Sequence, residues 1–160
     1  MVGILDQKTT MGFGGADFQR MATEQGQKFE VAVELQFQIA GCVIVDRKRK
    51  DPASGEEIDH VIQTPKGHEV WVESKGSWQG KRPGLIRSDT AKKAVATAWN
   101  LKTSNDFDTP PYVLVGSHLP KAGSYPEKLL GNALRLRLFD WIIQLNEIPA
   151  TIKEIDEKLS

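Results

Sequence analysis

The sequence predicts an α/β domain with a central mixed β-sheet flanked by helices. Three observations carry that prediction: apolar residues at helical spacing between Arg20 and Ala40, two short apolar strands around a Thr-Pro-Lys-Gly turn, and a further helix and strand between Leu85 and His118. At 160 residues, 39% apolar and 26% charged, the chain has the size and composition of one globular domain.

The elements follow in order. Residues 1–19, with the run MGFGGADF, are glycine-rich and lack the Gly-Lys-Ser/Thr ending of a phosphate-cradling loop, so they read as an irregular N-terminal arm. Residues 20–160 form the single domain. From Arg20 to about Ala40, Met21, Phe29, Val33, Phe37 and Ala40 recur at helical spacing, and Gly41 stands where a helix C-terminus favours it. CVIV then reads as a buried strand, DRKRKDPASGEE as a polar connection, and EIDHVIQ and HEVWVES as a hairpin. GSWQGKRPG is a Gly/Pro loop. Leu85 to Leu101 reads as a helix entered through Ser-Asp-Thr, with Leu85, Ala94, Val95, Ala98, Trp99 and Leu101 as its core face, and PPYVLVGSH as another apolar strand. Beyond Pro126, EKLLGNALRLRLFDWIIQL and ATIKEIDEKL look mainly helical, although LRLRL also alternates like a strand.

Charge and cysteine usage narrow the setting. Net charge is zero, but between Ser74 and Lys102 the basic residues Lys75, Lys81, Arg82, Arg87, Lys92, Lys93 and Lys102 face Asp89 alone, so this segment is locally positive. DRKRKD at 46–51 is a second basic cluster, read as a solvated loop with a phosphate-contacting loop as the alternative. Cys42 is the only cysteine, in apolar surroundings, which excludes an intrachain disulfide and points to a reducing, cytoplasmic location. No apolar run is long enough to span a bilayer, and MVGILDQKTT has no signal-peptide pattern, so no membrane partner is expected.

The hairpin makes a geometric statement. Pro65, Lys66 and Gly67 suit a three-residue loop with a bulge, which pairs Thr64 with His68 and gives every cross-strand pair numbers summing to 132. Val61 then faces Trp71, and Asp59 faces Glu73. Like charges so placed destabilise a sheet unless a cation reverses the sign. Lys75 shares the face of Glu73, while Ile58, Ile62, Val70 and Val72 point the other way, into the core. A two-residue turn would make the sum 131 and split the acids between faces.

Two carboxylates and an ammonium on one face suit metal-assisted phosphodiester hydrolysis. Mg²⁺ prefers one or two carboxylates and leaves positions for water and phosphate oxygens, and a neighbouring lysine can orient or deprotonate the water or neutralise the phosphorane. The tripeptide acid-x-Lys alone is weak, occurring also at Asp6, Asp46 and Asp156, but only Glu73 follows a strand and has an acidic partner on an earlier one. No Gly-x-Ser-x-Gly elbow points to a Ser-His-Asp hydrolase, and one cysteine with scattered histidines disfavours zinc.

With an acid on one strand, a turn, apolar-acid-x-Lys on the next and an acidic helix upstream, the sequence resembles the PD-(D/E)XK nuclease superfamily over about Thr23 to Gln144. The resemblance implies a restriction-endonuclease-like core, in the order helix, three strands, helix, strand, helix. It implies that Asp59, preceded here by Ile58 where the family often has proline, and Glu73 bind Mg²⁺, with Mn²⁺ able to substitute. The Ser74 carbonyl is a further implied ligand. Glu30, one position after an aromatic packed on the sheet, is the implied helix acid, with Glu34 as its substitute. Lys75 is the implied catalytic lysine. Gln79, Lys81, Arg82, Arg87 and Lys92 would neutralise phosphates beside the site, contacts that carry affinity and not sequence choice. Trp78 could stack on a base or pack over its loop; His60 and His68 fall on the face opposite Asp59.

The expected activity is a metal-dependent endonuclease on DNA, with RNA left open, leaving a 5′-phosphate and a 3′-hydroxyl. Sequence-specific cutting would need loops, a homodimer or a partner protein. The alternatives are a non-catalytic nucleic-acid-binding module or subunit with the same fold, and a protein-interaction domain whose acids are incidental.

Overall fold

Helix α1, Gly15–Ile39, turns three aromatic and β-branched side chains one turn apart, Phe29, Val33 and Phe37, onto the sheet, where each is at most 1% exposed. It ends as its glycine predicts. Gly41 takes φ +90°, and the Cys42 amide reaches back to the Phe37 carbonyl at 2.9 Å. The computed structural model describes residues 15–160 except Gln79 and Lys81, with backbone alone for 15–19, 21 and 22. The expected arm therefore lies outside the described residues as far as residue 14, and its last five residues belong to α1.

The five strands are β1 (Val43–Lys50), β2 (Glu57–Gln63), β3 (Glu69–Lys75), β4 (Tyr112–Gly116) and β5 (Trp141–Gln144). They lie side by side in chain order, antiparallel from β1 to β3 and parallel from β3 to β5. The sheet is mixed, as expected. Helices α2 (Ser88–Ser104) and α3 (Tyr125–Arg135) connect the parallel strands, and α4 (Ile148–Leu159) closes the chain. One core layer joins Ala91, Ala94, Ala98, Leu101 and Leu130 to Val61, Trp71, Tyr112 and Leu114. On the other face α1 and α4 bury Phe29, Val33, Ile152 and Ile155 against Ile62, Val70, Val72, Val113 and Val115.

Four expectations are corrected. CVIV is buried only in part: Cys42 is in the core and Ile44 packs against it, but β1 is an edge strand with Val43 and Val45 about half exposed, and it runs on through Lys50, so DRKRK is strand and not loop. Charged side chains are ordinary on an edge, where one row of backbone groups faces solvent. The second-helix core face loses Trp99, which is exposed, and Leu85 is buried from a 3₁₀ turn, Gly84–Ile86, ahead of α2. The first stretch beyond Pro126 is helical only to Arg135; WIIQ is β5, and LRLRL is neither strand nor continuous helix. Ile58 joins the core layer of α2, apart from Ile62. It lies beyond the last β2–β3 pair, still paired with Arg49 of β1, and its apolar side chain is taken up by the α2 layer.

Candidate metal and phosphate site

The hairpin has the three-residue loop. Gly67 takes φ +92°, Thr64 N–H donates to His68 O at 2.8 Å, and His60–Val72, Val61–Trp71, Ile62–Val70 and Gln63–Glu69 all sum to 132. The regular ladder stops one pair short of the acids. Trp71 N–H donates away from β2, to Pro111 O at 2.9 Å, so by alternation the Ser74 N–H faces β2. There it donates to a side chain, Asp59 Oδ2, at 2.9 Å. The Ser74 carbonyl shares that direction, toward the gap between the strands.

Glu73 is 4% exposed. Its Oε2 accepts from the Lys75 ammonium at 3.0 Å, and its Oε1 accepts from the Tyr112 hydroxyl at 3.4 Å. Burial and then the neighbouring Asp59 charge push the Glu73 carboxyl up to about 7. Burial also raises Asp59, helped by the charge of Glu30 and resisted by the Ser74 amide, Lys75 and Lys48. For Lys75 burial alone would favour the neutral amine, but Glu73, with Asp59 and Glu30, outweighs it and raises the pKa. Lys75 is an ammonium at neutral pH.

The two helix acids have different fates. Glu34 is held by the Arg47 guanidinium, with Nε at 2.9 Å, and lies 3.0 Å from His60 Nε2; the Arg47 hydrogen bond is the main cause of its lowered pKa. Glu30 is the acid whose charge reaches Asp59 and Lys75, and its own contact is Lys48 Nζ at 3.4 Å. Its placement depends on Gly76: a Cβ there would meet Phe29 Cδ2 at 2.4 Å. Phe29 packs into that space, with Trp78 edge-on at 5.4 Å, which registers Glu30 against Lys75.

Among the described residues no three His, Cys, Asp or Glu side chains form a ready cage. The donor set is two carboxylates that repel each other in a buried place, with a backbone carbonyl on the same side. That set fits Mg²⁺, which keeps waters and takes one or two protein carboxylates. No family model, curated protein or solved structure matches this chain.

Of the expected phosphate contacts, Arg82 and Arg87 are exposed in the segment leading into α2, and Lys92 is exposed on α2 with its ammonium 5.4 Å from the centre of the Tyr125 ring. Gln79 and Lys81 lie outside the described residues. Lys102 drops out of the positive segment: it is buried and paired with Asp140 at 3.1 Å. Trp78 is half exposed beside Phe29. His118 Nδ1 lies 3.0 Å from Ser117 Oγ, and Ser117 ties the loop at Ser77 to the end of β3 through Ser77 O and Lys75 O. Sequence reasoning missed Tyr112, which reaches Glu73 only through the parallel β3–β4 register, and Lys48, which needs the β1 register. The glycine after acid-x-Lys was an available signal for the Phe29 contact.

Proposed function

We propose that this protein is a metal-dependent endonuclease that hydrolyses phosphodiester bonds in DNA, on a restriction-endonuclease-like core of the PD-(D/E)XK kind. The observation that carries the reading is the gathering of Asp59, Glu73 and Lys75 where β2 and β3 part, with Glu30 facing them from α1. The order helix, three strands, helix, strand, helix along α1 to α3 supports it.

Asp59, Glu73 and the Ser74 carbonyl would hold Mg²⁺ or Mn²⁺. When bound, the ion supplies charge for the phosphorane and acidifies a coordinated water. The protein's own groups do the rest. The Ser74 amide fixes one Asp59 oxygen, and the Tyr112 hydroxyl fixes one Glu73 oxygen. As an ammonium, Lys75 has no lone pair to take the proton of the attacking water, which leaves to solvent, so the expected role as base falls away; its hydrogen bonds go to a non-bridging phosphate oxygen, where negative charge grows. Arg82, Arg87 and Lys92 neutralise flanking phosphates.

The test is incubation of plasmid and linear DNA with Mg²⁺ or Mn²⁺. Cleavage should stop with chelator, return with added metal, and fall at least about a hundredfold in Glu73→Gln and Asp59→Asn. Cutting that survives both substitutions would rule this site out. DNA binding without cutting would assign the chain to the non-catalytic binding module.

A further inference from the structure

Strand β1 is bulged, and the bulge sets which of its side chains stand across from Asp59. A bulge shifts the register between Ile44 and Asp46, after which Arg47 pairs with His60 and Arg49 with Ile58, leaving Lys48 directly across from Asp59. Lys48 itself takes φ +51°, left-handed backbone that is uncommon outside glycine. Consecutive residues of a strand normally point to opposite faces. Here Arg47 and Lys48 both reach the same helix, Arg47 to Glu34 and Lys48 to Glu30.

The two contacts differ in strength. Glu34 is held by two guanidinium nitrogens and lies beside a buried imidazole, a bidentate arrangement that fixes it. Among the described residues Glu30 has one ammonium at 3.4 Å, from a lysine side chain that is 59% exposed. One glutamate is locked and its neighbour one turn away is held loosely.

Resting on the reading of the site as a metal centre, we propose that Lys48 competes with a divalent cation for Glu30 and so sets how tightly the site takes its metal. The ammonium on Glu30 and beside Asp59 already supplies positive charge to the carboxylate group. A divalent ion recruits Glu30 only by displacing it, and the left-handed turn at Lys48 sets the competitor on the side of β1 that faces Glu30. Lys48 is a positioning residue in this scheme, acting through Glu30.

Calorimetric titration with Mn²⁺ alone, at low and fixed ionic strength, tests it. Lys48→Met should bind Mn²⁺ about two- to fivefold more tightly than wild type, the range an exposed ion pair can supply, and Lys48→Arg should stay at wild-type affinity. In a Glu30→Gln background the gain from Lys48→Met should fall by at least half. Unchanged affinity in Lys48→Met, or equal gains in both backgrounds, would overturn the proposal, the latter because it reports only a lost positive charge. Asp59→Asn separates the two levels: wild-type binding that this substitution abolishes, with no Lys48→Met effect, sinks the role of Lys48 alone. No Mn²⁺ binding by wild type sinks the metal centre and this inference with it.

Discussion

Glu73 is an acid placed where its charge is unwelcome, and the cost is measurable. Its folded pKa, about 7, lies above the ordinary glutamate value of 4.5, so the folded state holds its proton more tightly than the unfolded chain does. That contribution to stability is complete below about pH 4.5 and is lost as pH rises through about 7. In metal-free buffer, thermal melts of wild type should therefore fall relative to Glu73→Gln between these limits. Added Mn²⁺ should restore wild type and not the variant. Asp59 and Glu73 were legible in the sequence because Pro65, Lys66 and Gly67 fix a loop length, and loop length fixes register. Tyr112 was not, because its contact with Glu73 depends on a parallel pairing made across α2.

At the scale of elements, α1 and β3 lock through one absent side chain. A methyl group at Gly76 would overlap Phe29, so Gly76→Ala should destabilise the fold by about 1–3 kcal/mol, read by chemical denaturation. On the proposed nuclease reading it should also lower cleavage per folded molecule, since Glu30 follows Phe29 in the chain. The hairpin and α1 were readable from turn chemistry and helical spacing. The first strand was readable only over its opening residues, and the last was not. In β1 the run DRKRK looks like a loop because its charges face solvent along an edge. In β5 only four residues pair, and they follow a leucine-rich stretch whose apolar density hides the change from helix to strand.

Across the whole molecule the formal charge sums to zero, so affinity for a polyanion must come from where cations stand. Among the described residues Arg82 and Arg87 are the exposed cations of the segment leading into α2. Replacing both with alanine should weaken DNA binding about equally for all sequences and make the slope of log affinity against log salt shallower by about 1.8, measured by anisotropy in chelator. Lys102 shows why counting cations along the chain overstates such a surface: its ammonium is inside, on Asp140. The order of helices and strands as far as β4 was visible in the pattern of apolar runs; the last strand, and which charges end up outside, required the packing. A last consequence follows from the Ser74 amide that rests on Asp59. The carboxylate acts as a stitch across a fork in the sheet, quite apart from any chemistry. Asparagine can still accept that bond, whereas alanine leaves the amide wanting, at about 1–3 kcal/mol. Asp59→Asn should thus melt close to wild type while Asp59→Ala unzips earlier, so the asparagine variant alone separates loss of charge from loss of architecture.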